Sequence, residues 1–175
     1  FLLGSGFFLL LFAGCETPVA RPVVVMPGLL QTHLPEGFEL TEERLYDRAS
    51  YSVVGKHYDY STDVRQTNLV RAAHFDFVVR YDELQQWRED IALTLKQEEE
   101  FQRINLNTIK RINGQRWIVT EAVFKGGQGP VRHRQYATSH EGHSLLFVLI
   151  FEEEELARFE ELRDLTEKHL QIIDS

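Results

Sequence analysis

Three histidines and one carboxylate stand nearest to a recognisable chemistry: His133, His140 and His143, with Glu141 between the last two. Two imidazoles and a carboxylate are donors that Zn²⁺ and Cu²⁺ accept. A turn centred near Glu141-Gly142 would set His140 and His143 opposite each other, with His133 on the paired strand. The spacing is loose, and a solvated polar turn explains the same residues, so metal binding is the lesser expectation. A second set is basic. Arg132 and Arg134 are alternate residues of one expected strand and share a face if it is regular. With Arg116 they would form a stripe able to meet an anionic ligand or partner, although pairing with local Glu and Asp is the plainer expectation. Tyr58, Tyr60 and Tyr136 could line a groove, but strand aromatics more often pack in the core or across strands. The chain carries no glycine-rich phosphate loop, no G-x-S-x-G and no H-E-x-x-H. No cofactor is expected, and catalysis ranks last among the functions.

Cys15 is the only cysteine, and it follows an uncharged stretch, FLLGSGFFLLLFAG. The apolar run from Phe7 to Ala13 has the length of a signal-peptide core. It is shorter than the roughly 20 residues a helix needs to span a bilayer. Small residues, Ala13 and Gly14, come just before the cysteine. Leu11 to Cys15 resembles the bacterial lipobox. That resemblance implies that residues 1–14 are a signal peptide and that Cys15 receives fatty acyl chains and becomes the mature N-terminus. The domain would then be held on a membrane of the cell envelope, facing the periplasm. With Glu16 next, the resemblance points to the outer membrane more than the inner one. A single thiol allows no intrachain disulfide, so an exported domain must rely on packing.

The chain has 175 residues, 43% of them hydrophobic and 26% charged, which suits a leader plus one globular domain. The formal net charge of −8 argues against nucleic acid or anionic lipid as the main partner.

The elements that must position these residues follow from periodicity. Residues 15–37 hold four of the five prolines. They read as a lipidated cysteine and an extended tether, although Val23, Val24 and Val25 could form a short edge strand. Residues 38–175 read as a single domain. Tyr51 to Val54 and His57 to Tyr60 read as strands, with Gly55 as a turn between them. Val70 to Val79 reads as a strand whose Ala73, Phe75, Phe77 and Val79 face meets the core. Residues 82–103 read as a helix, with Asp82 as N-cap, Gln85 completing a capping box, and Leu84, Trp87, Ile91 and Leu95 on one stripe. A meander comes next: Asn105–Ile112, a turn at Asn113-Gly114, Arg116–Phe124, a glycine-rich loop, Val131–Thr138, a turn at 139–142, and Ser144–Phe151. The last strand is nearly all apolar and should be central. A helix from about Glu153 to Ile173 ends the chain, with Leu156, Phe159, Leu162, Leu165 or Thr166, Leu170 and Ile173 on its stripe.

This order predicts an α+β fold, an antiparallel sheet with two main helices packed on it. The order and the stretch from Ile112 to the C-terminus resemble the PsbP-like superfamily; helix-grip and cystatin-like folds are the alternatives. The resemblance covers about residues 38–175 and implies binding or assembly more than catalysis; it carries no site residue. The leading expectation is therefore a non-catalytic, membrane-anchored lipoprotein that binds an envelope protein or assists assembly. A small-ligand or lipid carrier, with a cavity between the sheet and the helix at 82–103, comes second. A metal-dependent enzyme comes third.

Overall fold

Asn113 (φ 47°) and Gly114 (φ 84°) both take left-handed backbone conformations. A two-residue turn of that kind matches the twist of the strands it joins. Here it closes β6 (Phe101–Ile112) onto β7 (Gln115–Lys125). Glu141 (φ 44°) and Gly142 (φ 86°) do the same between β8 (Pro130–His140) and β9 (His143–Glu152). The computed structural model describes residues 20–26, 28–48, 53–61, 69–75 and 83–173. These hairpins extend into a seven-stranded antiparallel sheet with β3 (Glu39–Arg48), β4 (Val53–Ser61) and β5 (Leu69–Phe75), in the order β3-β4-β5-β9-β8-β7-β6. β9 lies at its centre, as its apolar run predicts.

Helix α1 (Leu84–Gln97) covers one face over β6 and β7. Its Leu84, Trp87 and Ile91 pack on Ile109, Ile118, Ala137 and Leu146. Leu95 reaches Ala122 and Phe124. The apolar stripe is the expected one, but the helix ends six residues before position 103 and β6 starts at Phe101. The run Glu98 to Glu100 is a turn, with the Phe101 amide donating to the Glu98 carbonyl at 3.1 Å. The cap also differs. Glu83 is the N-cap and makes no side-chain cap bond. Gln85 instead donates to Glu89 at 3.1 Å, and Asp82 lies outside the described residues.

The other face carries the larger core. Trp117, Val119, Tyr136, Leu145, Phe147, Leu149 and Phe151 project into it with Val70, Ala72, Tyr58 and Tyr60. Helix α2 (Leu156–His169), entered through a 3₁₀ turn at Glu153–Glu155, lays Phe159, Leu162 and Thr166 on this face. The face of β5 that meets this core is therefore the Val70 and Ala72 face. The expected Ala73 face points the other way, and Phe77 and Val79 lie outside the described residues. Gly55 is no turn: β4 runs straight through it, pairing it with Tyr46 and Phe75.

The largest departure concerns the tether. Arg21–Met26 (β1) and Leu30–Leu34 (β2) form a hairpin, turned at Gly28 with φ 71°. Val25, Met26, Leu30 and Leu34 are buried in the main core. Pro22 fits because β1 is an edge strand, where a missing N–H costs no ladder bond. The expected terminal helix also stops early, at His169, and Gln171–Ile172 (β10) pairs with β2. A three-stranded sheet β1-β2-β10 thus closes the core beside α2. Two contacts lock it: Tyr60 Oη donates to the Val25 carbonyl at 3.2 Å, and His33 stacks on His169 at 3.8 Å. No helix among the described residues is long and apolar enough to cross a membrane.

Leu34 is fully buried, so Leu34→Ala should lower the unfolding free energy by about 2–4 kcal/mol in urea denaturation. Had residue 34 belonged to a solvated tether, the same change would stay within about 0.5 kcal/mol.

Candidate binding site

Arg132 and Arg134 do share a face, and it is the face under α2. Arg134 is buried, at 4% exposure. Its Nε donates to Tyr136 Oη at 2.8 Å and its Nη1 to Glu121 at 2.8 Å, while Nη2 donates to Glu167 of α2. Lys110 meets the same Glu167 at 3.2 Å. Arg132 bridges Glu121 and Glu153, at 3.2 Å each, and stacks over Phe159. Burial works against the charge of Arg134, but its bonds to Tyr136, Glu167 and Glu121 hold it protonated. Burial also works against the Glu167 carboxylate, yet the Arg134 and Lys110 bonds pull its pKa below the ordinary value. Burial pushes the Tyr136 hydroxyl well up. All three guanidinium nitrogens of Arg134 donate to these partners, so the network fastens α2 to the sheet and leaves no vacant anion seat at Arg134. Arg116 is not part of it. Register pairs Trp117 with Lys110 and Glu121 with Arg134, so Arg116 points to the opposite face. Its carbonyl accepts the Thr138 hydroxyl at 2.7 Å. Glu121 and Glu167, absent from the sequence-level set, are the partners that the arginines needed.

The histidines divide too. His140 and His143 are cross-strand partners at the turn, with His140 Nε2 4.0 Å from Glu141. His133 pairs with Ile150, seven residues up β8 from His140, roughly 23 Å away at about 3.3 Å per residue. The expected trio does not converge. His133 instead stacks against Phe124 at 4.4 Å. Burial, and then the charge of Arg71, pushes its pKa down to about 4. Tyr58, Tyr60 and Tyr136 are core residues and line no groove.

Among the described residues, an open cleft lies on the α1 face. At the end of α1, Glu98 turns extended (ψ 138°), and the Lys125 amide donates to the Glu100 carbonyl at 2.7 Å. The turn sets three exposed carboxylates, Glu98, Glu99 and Glu100, along the lip of an open cleft of about 550 Å³. Leu95, Phe124, Val131 and His133 form its floor and wall, and Lys125 also lines it. Gly126 closes the adjoining loop tightly: a Cβ there would lie 2.5 Å from Val131 Cγ2 and 2.6 Å from the Gly129 carbonyl oxygen. A second cleft of about 290 Å³ continues along α1, where Trp87, Asp90, Ile91 and Gln135 join Leu95 and Glu98. The sequence concealed this site because positions 98–100 fit the end of an amphipathic helix. The signal that was available is a helical stripe that stops at Leu95 just before three consecutive glutamates.

Two predictions test these environments. Arg134→Met should destabilise the fold by about 3–5 kcal/mol, since it takes a buried cationic partner from both Glu121 and Glu167 and leaves them Arg132 and Lys110 alone. Adding Glu121→Leu should recover part of that loss in the same denaturation assay, because Arg132 keeps Glu153 as its partner. His133 titrates near 6.5 when unfolded and at about 4 when folded. Between those values the unfolded chain binds the extra proton, so stability falls as pH drops through this window, by up to about 3 kcal/mol. In His133→Phe that share of the pH dependence should vanish from urea titrations run between pH 7.5 and 4.

No family model matches the chain, and no curated relative matches it in sequence. Solved structures do match. The solution structure of cyanobacterial PsbP (CyanoP) from Synechocystis aligns with a TM-score of 0.62 and 12% identity over 97% of this chain and 98% of that one. LpqN, described as involved in cell envelope biogenesis of Mycobacterium tuberculosis, aligns with a TM-score of 0.53 and 13% identity over 89% and 91%. The Ran-binding protein Mog1p of Saccharomyces cerevisiae aligns with a TM-score of 0.51 and 11% identity over 90% and 97%. At such identities the likeness speaks for the backbone alone, and it shows that this chain has the PsbP-like α+β fold.

Proposed function

We propose that this chain is a non-catalytic, lipid-anchored protein of the bacterial cell envelope that faces the periplasm and works by binding a protein partner. Cys15 carries the anchor, after removal of residues 1–14, and the outer membrane is the destination. The lipobox resemblance at Leu11–Cys15 supports the anchor. The observation that carries the binding role is the division of polar groups between the two sheet faces. Under α2 the charged side chains are paired with one another, whereas beside α1 carboxylates line an open apolar-floored cleft. The fold supports the same reading, since one protein that shares it is described as involved in envelope biogenesis and another as Ran-binding. A small-ligand carrier is the second reading, favoured by the position of that cleft between sheet and α1. Its openness and the filled contact of Leu84, Ile118 and Ala137 behind it suit a surface partner better than an enclosed lipid.

Expression from the native gene in a bacterial host should yield membrane-bound protein whose intact mass corresponds to a chain starting at Cys15 plus its acyl groups. Cys15→Ser should move the protein to the soluble fraction. Recovery of a membrane form that keeps Phe1–Gly14, or of a free Cys15 thiol, overturns the anchor. Cross-linking in intact envelopes should trap one reproducible protein partner; its absence overturns the binding role.

A further inference from the structure

We infer that the cleft beside α1 takes an extended segment of the partner in which apolar side chains alternate with lysine or arginine. This rests on the reading that the partner is a protein, and it names the chemistry that would be recognised. The floor fixes the apolar half of the requirement. Leu95, Phe124 and Val131 present hydrocarbon at the base of an open cleft of about 550 Å³, large enough for a bulky side chain or two. The lip fixes the charged half. Glu98, Glu99 and Glu100 stand on it with Lys125, and Arg71, whose charge reaches His133, is balanced by Asp59 at 2.7 Å, so the local charge is negative even where a salt pair forms. An acidic or phosphorylated segment would be repelled, as would an anionic lipid headgroup. His133, held neutral by its burial, adds no opposing positive charge.

Length follows from continuity. The second cleft shares Leu95 and Glu98 with the first and runs back along α1 to Asp90 and Trp87. Trp87 to Glu98 is a rise of roughly 16 Å at about 1.5 Å per residue, which about five extended residues would span. The floor and wall along this run alternate in character, with Trp87 and Ile91 apolar and Asp90 and Glu98 acidic. An alternating segment would match both.

The probe is an amidated hexapeptide in which lysine alternates with leucine and phenylalanine, titrated into the full chain. Trp87 lines the groove, whereas the other tryptophan, Trp117, is fully buried, so Trp87 emission reports occupancy. We expect saturable binding and NMR shifts confined to the lining of the two clefts, from Trp87, Asp90 and Ile91 to Leu95, Glu98, Phe124, Val131, His133 and Gln135. Affinity should weaken about fivefold or more in Glu98→Gln/Glu99→Gln, and as salt rises from about 0.05 to about 0.5 M. Two control peptides, one with glutamate for lysine and one with serine for the apolar residues, should each bind at least tenfold more weakly. Equal binding of the serine peptide, or shifts spread over the acidic surface, overturns the inference. An envelope partner that cross-links equally to wild type and to Glu98→Gln/Glu99→Gln overturns the cleft assignment while the broader function stands. Peptide binding without any envelope partner supports the cleft chemistry and sinks the broader function instead.

Discussion

A guanidinium sealed inside the protein fixes how the C-terminal helix lies. Moving a charge out of water costs several kcal/mol unless its partners wait in place. Arg134 has three: Glu121 on the next strand, Tyr136 two residues along its own strand, and Glu167 on α2. The first two come with the sheet. The third exists only when α2 sits in one register, with Lys110 closing on the same carboxylate. Apolar packing of Phe159 and Leu162 would tolerate a small slide of the helix; a buried ion pair would not. Arg132 and Glu153 apply the same restraint at the start of the helix.

Helix register then sets the path of the chain beyond His169. Asn113, at the tip of the β6–β7 hairpin, donates its side-chain amide to the carbonyls of Lys168 and Leu170, at 3.1 and 2.9 Å. Those are acceptors that a helix end leaves open. The chain leaves α2 in the direction that lets Gln171 and Ile172 pair with β2, and the Ile173 amide donates to the Leu29 carbonyl at 3.0 Å. The N-terminal hairpin is thereby clamped between the end of the chain and Tyr60. Residues far apart in sequence meet because one helix is fixed by charge at both ends.

Local patterns made much of this legible. Asn-Gly and Glu-Gly between alternating runs read as hairpins and are hairpins, and the stripe from Leu84 to Leu95 faces the sheet as its spacing demands. The α+β class followed from those elements, and their order carried the resemblance to the PsbP-like superfamily. What escaped was non-local. Val23, Val24 and Val25 were legible as a short edge strand and form one, but four prolines made the rest of residues 15–37 read as a tether, because its partners, Leu30–Leu34 and a strand of two residues at Gln171–Ile172, carry no local signal. The face of β5 was misjudged because both faces of that strand carry alanine, and only the register with Phe147 and Leu149 distinguishes them. Arg132 and Arg134 were recognised as a pair. Their meaning depended on Glu121 and Glu167, and no spacing rule links those positions.

The proposed binding role of the open site rests on the same contrast. A catalytic centre needs titratable groups held against one another and against a substrate position. Arg134, Glu121, Glu167 and Tyr136, held that tightly, lie beneath α2 and serve the fold, and the bidentate Asp59–Arg71 pair, at 2.7 and 2.8 Å, ties β4 to β5 on the other face. The cleft beside α1 has the opposite character. A helix of 14 residues covers β6 and β7, and the floor it leaves beside it on β8 is bordered by carboxylates on a turn. Such carboxylates attract cations without orienting a proton transfer, and hydrocarbon beneath them rewards an apolar side chain without activating it. On the proposed reading, a site with those two properties would select a partner by complementary charge and shape.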